Sequence, residues 1–409
     1  MSSHTTKYLL IGGGVASVSA AQTIRDHDKE GSILLVCGEN HPPYDRPPVS
    51  KSALAKDTFA DDDAYSKFDN FYPDNHIDLL VGVRATRLDP AARTATLENG
   101  DTVTYEKALL ATGAKPHGSD LPGAELPGVF YLRTLDDARN LREVFPRHPD
   151  VVVVGAGYLG IEVAAACIGR GLKTTIVSAG GHPWHLFASE TTGSFIKTRF
   201  EREGARFVLG HHVIGVAGTS HAEAVVTDAG TTSAQCVVIC TGAELNTELA
   251  SAAGLKVATD GGIVVDSKLQ TSDPHVWAAG DVAHFDDVVL GKQWHAEHHL
   301  HARWQGRAAG ANMAGADTPY DQVPYFFSDF LDLHMILRGD SELVGESTFY
   351  GSVKDGEFVE LYFEGDGTIR KGIAISHDEP KLDPISETLE RLIRERKDVR
   401  EVRAKEFGF

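Results

Sequence analysis

With 409 residues, 42% apolar and 24% charged, the chain is too long for one ordinary domain and has the composition of a globular protein with two or three cores. Its formal charge of −19 argues against nucleic acid, because no stripe of Lys and Arg interleaved with aromatics is present to neutralise phosphates. The longest apolar runs, over 151–154 and 235–241, fall far short of the roughly 20 residues that cross a bilayer, and the polar stretch 1–7 lacks the apolar core of a secretory signal, so no membrane and a cytoplasmic location are expected.

The chain opens on an apolar strand, Tyr8-Leu9-Leu10-Ile11, that runs into Gly12-Gly13-Gly14-Val15-Ala16-Ser17 and an Ala-rich helix to about residue 25. A second strand over 32–37 ends at Glu39, 25 residues after Gly14 and close to the roughly 20 expected for the carboxylate that accepts the hydroxyls of an adenosine ribose. Residues 79–119 read as short strands, with a hairpin signal at Glu98-Asn99-Gly100-Asp101, and close on Ala108-Leu109-Leu110-Ala111-Thr112-Gly113. A second unit follows over about 121–241. It holds a helix over 135–144, the strand Val151-Val152-Val153-Val154, the turn Gly155-Ala156-Gly157-Tyr158-Leu159-Gly160, a strand over 173–177, and a strand over 236–240 ending in Thr241-Gly242.

A lone glycine fingerprint is weak. Two of them, each behind a buried-strand pattern and each opening a helix, predict two dinucleotide sites, one for a bound redox cofactor and one that admits a nicotinamide. Both units also end a strand in Thr-Gly, as repeats of one architecture would. Beyond residue 254 come a strand over 262–265, the segment Trp277-Ala278-Ala279-Gly280-Asp281 and a long helix to about 313. Past Pro319 the pattern shifts to alternating segments such as Phe358-Val359-Glu360-Leu361-Tyr362-Phe363 and an amphipathic helix over 384–396, a separate α+β domain.

Four cysteines occur, Cys37, Cys167, Cys236 and Cys240, three of them inside apolar patterns where cysteine behaves as a small hydrophobe. Cys236 and Cys240 on one strand would lie about 13 Å apart, beyond bridging distance, so neither a structural disulfide nor a redox dithiol is expected.

The segment Pro43-Tyr44-Asp45-Arg46-Pro47-Pro48-Val49-Ser50-Lys51, with both fingerprints and Ala279-Gly280-Asp281, resembles the FAD-dependent pyridine-nucleotide reductases of the glutathione-reductase fold. Within them it is similar to the branch of the oxygenase-type ferredoxin reductases and apoptosis-inducing factor. The resemblance implies an α/β chain of two Rossmann-type domains and a C-terminal α+β domain: a discontinuous FAD-binding domain over 1–120 and 248–320, an NAD(P)H-binding domain over 121–247, and the last domain over 321–409.

It further implies that Gly12, Gly14 and Ser17 hold the FAD pyrophosphate, Glu39 the adenosine ribose, Arg46 and Lys51 the flavin side and Asp281 the ribityl chain, with Gly280 letting the backbone approach. Ala85, Thr112, Gly113, Glu297 and His298 join the FAD group, and the helix beginning near Glu297 aims its positive end at the flavin. Lys51 and Glu162 are implied as the pair at the flavin N5, Tyr158 as a gate where the nicotinamide stacks, and Phe327 as the residue on the flavin's other side, where the family has tryptophan. Gly155, Gly157, Leu159, Gly160, Ser178 and Gly242 fall to the nicotinamide cofactor. The strand end at Ser178-Ala179-Gly180-Gly181-His182 carries neither the carboxylate usual for NADH nor an arginine for NADPH, which leaves both cofactors open.

The dithiol of the disulfide reductases is replaced by the stretch from Arg46 to Lys51, so electrons must pass to an external acceptor. A small iron–sulfur or rubredoxin-type protein leads, although the acidic charge requires it to meet a locally basic face. The segment Glu297-His298-His299 is nearer the apoptosis-inducing factor pattern, which keeps open a slow NADH oxidase acting as a redox-sensing interaction protein and forming a homodimer. A quinone or other small-molecule reductase is the third reading. The histidines His295, His298, His299 and His301 lack the spacing of a zinc motif, and no metal is expected from them.

Overall fold

The structure, a computed structural model, describes residues 2–67, 70–118 and 120–409. It divides into two compact units, one of Met1–Arg46, Ala60–Lys115 and Glu244–Gln322, the other of Pro47–Phe59, Pro116–Ala243 and Val323–Phe409.

In the first unit Ser3–Ile11 lies at the centre of a largely parallel sheet, with Ile33–Cys37 and then Ile77–Val81 on one side and Thr102–Leu110 on the other. Thr102–Leu110 also takes Val276–Ala278 in parallel along its final residues and the hairpin of Ala85–Asp89 and Thr94–Leu97 antiparallel along its first. Leu9, Leu10, Ile33 and Leu35 are fully buried, the unbroken apolar pattern of a sheet covered on both faces. The helix Val15–His27 packs against His299–Met313 with backbones almost touching. A Cβ at Gly306 would stand 2.2 Å from the Ala16 carbonyl oxygen, and one at Gly310 2.6 Å from that of Ala20, so small residues one turn apart set this crossing.

The second unit carries a parallel sheet in the order Arg206–Leu209, Lys173–Ser178, Asp150–Val154, Cys236–Ile239, Val129–Tyr131, and a small antiparallel sheet of Val213–Ala217, Ala224–Thr227 and Gly230–Ser233. Parallel neighbours reached through helices make this the second Rossmann-type unit. The same compact unit includes a five-stranded antiparallel sheet, Tyr325–Phe330, Leu333–Gly339, Ile369–Ser376, Glu357–Phe363 and Glu346–Ser352 in that order. The helix Leu382–Arg394 covers it with Leu389 and Leu392 fully buried. That helix starts two residues before the sequence expectation, because Pro384 lies in the first turn, where its missing N–H costs nothing.

All four cysteines are free and buried. No helix among the described residues is long and apolar enough to cross a membrane.

Candidate functional site

The first glycine turn occupies the carboxyl ends of three adjacent parallel strands. Gly12 donates its N–H to Val36 O (2.9 Å), Ala111 to Ile11 O (2.8 Å), and Ala279 to Leu110 O (3.1 Å). Gly12 has φ +126°, and a Cβ there would lie 2.0 Å from the Ala111 carbonyl oxygen, so only glycine fits. A Cβ at Gly14 would meet nothing within 4 Å among the described residues. The helix behind it has no side-chain cap and no acidic residue in its first turn. By contrast, helices Leu135–Val144 and Glu190–Arg202 are capped by Thr134 and Ser189 and carry acids in their first turns. An open turn before an uncapped, acid-free helix start is the cradle a pyrophosphate needs. Ser17 is fully buried, and its Oγ has no hydrogen-bond partner among the described residues.

Glu39 stands beyond the second strand, where its carboxylate accepts from Tyr44 Oη and Arg46 Nη2, both at 2.5 Å. Arg46 Nη1 also donates to Tyr44 Oη (2.5 Å) and stacks over that ring at 4.7 Å. Burial opposes the guanidinium's charge, but Tyr44, Glu39 and Asp281 more than restore it and hold its pKa above the ordinary value. The structure therefore joins two residues that the family resemblance assigned to opposite ends of FAD. Glu39 keeps acceptor capacity for ribose hydroxyls, since a carboxylate has about four lone-pair sites and two are used here. Gly82 and Val83 donate to Glu39 O (2.9 Å) and Cys37 O (3.0 Å), which brings the half-buried Ala85 onto the chain just past this carboxylate.

Thr112 and Gly113 follow the strand Thr102–Leu110 and are tied to Asn246: Thr112 Oγ1 donates to Asn246 O (2.6 Å), and Asn246 N donates to Gly113 O (2.9 Å). Gly280, at φ +81°, donates its N–H to Gln305 Oε1 (2.8 Å), while the Gln305 amide meets His301 Nε2 (3.1 Å) and Tyr320 Oη meets His301 Nδ1 (3.0 Å). Burial pulls His301 down to about 3, so a neutral ring with one donor and one acceptor completes this chain. The chain fixes the turn that presents Asp281. His298 is buried and held down at about 4 by that burial, against the pull of Asp281. The helix expected near Glu297 begins at His299, with His298 extended (φ −123°, ψ 135°); Glu297 turns back to His295 Nε2 at 3.2 Å.

In the second unit Gly155 repeats Gly12: φ is +108°, and a Cβ would lie 2.3 Å from Cys240 O. Gly157 faces open space, and the helix Tyr158–Gly169 again has neither a side-chain cap nor an acid in its first turn. Leu159 sits half-buried in that turn, and a Cβ at Gly160 would stand 2.0 Å from Gly155 O. Ser178 ends its strand buried, accepting from Gly180 N (3.3 Å), and Gly242 follows the last strand at φ +113°.

Lys51 and Phe327, expected among the FAD groups, belong to this second unit with Glu162. Lys51 Nζ lies 3.7 Å from Glu162 Oε1 but 2.8 Å from Asp329 Oδ2, and 4.5 Å over the Phe327 ring. Glu162 is 8% exposed and accepts from Ser50 Oγ (2.5 Å) and Ser328 Oγ (2.6 Å). Burial pushes its carboxyl above the usual range against the opposing pull of Lys51 and the two serines. Burial would also raise Asp329, but Lys51 and His334, whose Nδ1 is 2.8 Å away, hold it below its ordinary value. Tyr158 stacks on Phe187 (centroids 3.9 Å apart, 23° between planes) and touches Phe326 (3.8 Å); burial raises its phenol well above 10 and keeps it protonated. Ser50, Ser328, Asp329 and Tyr44 had no role in the sequence reading, although Tyr44 and Ser50 lie inside the segment 43–51 that carried the resemblance and Ser328 and Asp329 directly follow Phe327.

Three comparisons bear on this arrangement. The profile of the pyridine nucleotide-disulphide oxidoreductase family matches residues 6–306. A rubredoxin-NAD(+) reductase of Pseudomonas putida is 32% identical over 323 residues, covering 78% of this chain and 83% of that one. Among solved structures, a ferredoxin reductase of Rhodopseudomonas palustris superposes with a TM-score of 0.87 at 32% identity, covering 90% of this chain and 91% of its own. The reductase in a covalent putidaredoxin reductase–putidaredoxin complex superposes at 0.88 with 27% identity, covering 96% and 93%. Two glycine turns in two Rossmann-type units, matched along most of their length, make this chain a member of the pyridine nucleotide-disulphide oxidoreductase family and an NAD(P)H-dependent flavoprotein reductase.

Proposed function

We propose that the protein is a cytoplasmic FAD-dependent NADH reductase that delivers electrons to a small ferredoxin- or rubredoxin-type protein. The observation that carries this reading is the pair of open glycine turns, each before an uncapped helix, in a chain whose four cysteines are buried and free. Bound FAD would supply hydride acceptance from NADH and release of the electrons one at a time.

In this reading Gly12, Gly14 and Ser17 cradle the pyrophosphate, Glu39 takes the adenosine ribose with Ala85 beside it, and Thr112, Gly113, Gly280 and Asp281 line the rest of the cofactor with Glu297 and His298. Lys51, oriented by Asp329 and the buried Glu162, would serve the flavin's hydride-accepting end, with Phe327 assigned to the flavin and Tyr158 to gating the nicotinamide. Gly155, Gly157, Leu159, Gly160, Ser178 and Gly242 receive NADH. NADH is preferred to NADPH because no arginine or lysine stands in Ser178-Ala179-Gly180-Gly181-His182 to clamp a 2′-phosphate. The acceptor class follows from the relatives, whose names include rubredoxin and ferredoxin reductases.

Steady-state turnover tests the proposal. With NADH and a ferredoxin or rubredoxin, reduction of the protein acceptor should outrun reduction of oxygen by about two orders of magnitude, a difference of roughly 2.7 kcal/mol in barrier. Slow turnover with every protein acceptor, together with a long-wavelength absorbance band that survives air, would overturn it in favour of a redox-sensing protein.

A further inference from the structure

We infer that Asp260, His284 and His295 form a site for one divalent transition-metal ion of the zinc type, with Glu297 supporting it from behind His295. The sequence separates these ligands by up to 35 residues, and the fold brings them to one end of a small sheet of Ile263–Val264, Ala283–Asp287 and Lys292–Trp294. Val264 pairs with His284, and Phe285 pairs with Trp294, so His284 and His295 stand opposite one another one step along the register. Asp260 precedes the first strand in the adjoining turn.

Three observations make this more than a chance cluster. Both imidazoles turn the same atom, Nδ1, onto one oxygen: His284 is 2.7 Å and His295 2.9 Å from Asp260 Oδ2. The carboxylate is itself oriented, because Asp260 Oδ1 accepts from Gly262 N at 3.0 Å. A Cβ at Gly262 would lie 2.8 Å from His284 Cβ, so the turn backbone lies directly against the base of that ring. Finally, His295 Nε2 meets Glu297 Oε1 at 3.2 Å. A carboxylate on the far nitrogen is the arrangement that metal-bound histidines adopt, since it fixes the tautomer and leaves the near nitrogen's lone pair for the ion.

The chemistry suits zinc or a neighbouring first-row ion: two imidazoles, one carboxylate and a fourth position for water. Bonds of about 2.1 Å require the three ligand atoms to part by about half an ångström from their present contacts. The side chains of Asp260, His284 and His295 are 32%, 14% and 24% exposed, so an ion can enter from solvent and the rings can adjust. Asp260 and Glu297 together balance the dication's charge. His299, four residues beyond His295, lies outside this cluster and faces Asp45 at 3.9 Å.

The test uses the flavin-loaded protein, stripped with a chelator and titrated with Zn2+ in competition with a chromophoric zinc indicator. One Zn2+ per chain at micromolar or tighter affinity is expected, with His284→Gln and Asp260→Asn each weakening it at least tenfold. His211→Gln, which removes another surface histidine–aspartate contact, should leave it unchanged. The flavin absorbance and thermal midpoint of each metal-free variant report whether it has folded. Co2+ added to the unmutated protein provides a readout that needs no variant, since intense ligand-field bands should appear at wavelengths beyond the flavin absorption. Absence of stoichiometric Zn2+ binding, equal binding by folded His284→Gln and Asp260→Asn, or only the spectrum of aqueous Co2+ would each overturn the inference.

Discussion

At Gly12 and at Gly155 the chain makes the same move: a buried strand ends, φ turns positive, and the backbone passes so close to the next strand's end that a Cβ would fall 2.0 Å from Ala111 O or 2.3 Å from Cys240 O. The two turns part company immediately afterwards. The first admits Ser17 at its third position, whereas a Cβ at Gly160 would fall 2.0 Å from Gly155 O. The following strand leads to Glu39, engaged by Tyr44 and Arg46, in the first unit, but ends at the small, neutral Ser178 in the second. Shared backbone packing therefore supplies two open turns of the kind a phosphate needs, and the side chains at the strand ends distinguish them. A carboxylate locked by a tyrosine and an arginine suits a cofactor that stays; a strand end of serine, alanine and glycine suits a nicotinamide that comes and goes.

The largest effects should come from closing each turn separately. Gly12→Val should yield protein without flavin, whereas Gly155→Val should retain the flavin and lose at least 100-fold in its rate of reduction by NADH, as read by stopped-flow absorbance. Loss of flavin from both would break the distinction between the turns. Next in size, Glu39→Gln should weaken FAD retention about tenfold, roughly 1.4 kcal/mol, because a charge-assisted acceptor is lost along with the Arg46–Glu39 ion pair. Flavin release in an ultrafiltration series checks this, and unchanged retention would remove Glu39 from the cofactor site.

Asp329→Asn probes the Lys51 cluster through pH. Its folded pKa is depressed by Lys51 and His334, so its stabilising contribution is present above the ordinary carboxylate range and lost as pH falls through and below about 4. With a side chain 42% exposed, the difference from the unmutated protein should be only about 1 kcal/mol between pH 5 and 7 and should shrink below pH 4, as denaturant midpoints would show. The smallest effect is expected from Ala179→Arg on the exposed end of the second unit's strand. It should raise the kcat/KM ratio of NADPH to NADH several-fold by supplying a cation for the 2′-phosphate. No change in that ratio would detach this strand end from the nucleotide.

Both turns were legible in the sequence because a positive φ and a contact with neighbouring backbone leave only glycine, and because strands buried on both faces write unbroken apolar runs. The Lys51–Glu162 pair, implied by the family resemblance, lies 3.7 Å apart. The closer Asp329 escaped notice because it sits 278 residues from Lys51, and only the register of Tyr325–Phe330 against Leu333–Gly339 sets Asp329 opposite His334. The same applies to Gln305, which bridges Gly280 and His301 deep in the first unit, and to Gly306 and Gly310, whose need for smallness comes from Ala16 and Ala20 almost 300 residues away. Local backbone demands are written locally; the groups that orient a site are chosen by tertiary contact. Helix starts stand between the two: the helix expected near Glu297 begins at His299, after an extended His298, while Glu297 contacts His295.

The most direct test is an anaerobic titration of the purified protein with NADH, followed at the flavin absorbance in the unmutated chain and in Gly155→Val. A yellow protein bleached by stoichiometric NADH, beside a yellow variant that resists the same addition, is the result expected if the first turn holds FAD and the second admits the nicotinamide. A colourless protein, or a variant bleached as readily as the unmutated chain, would contradict that assignment.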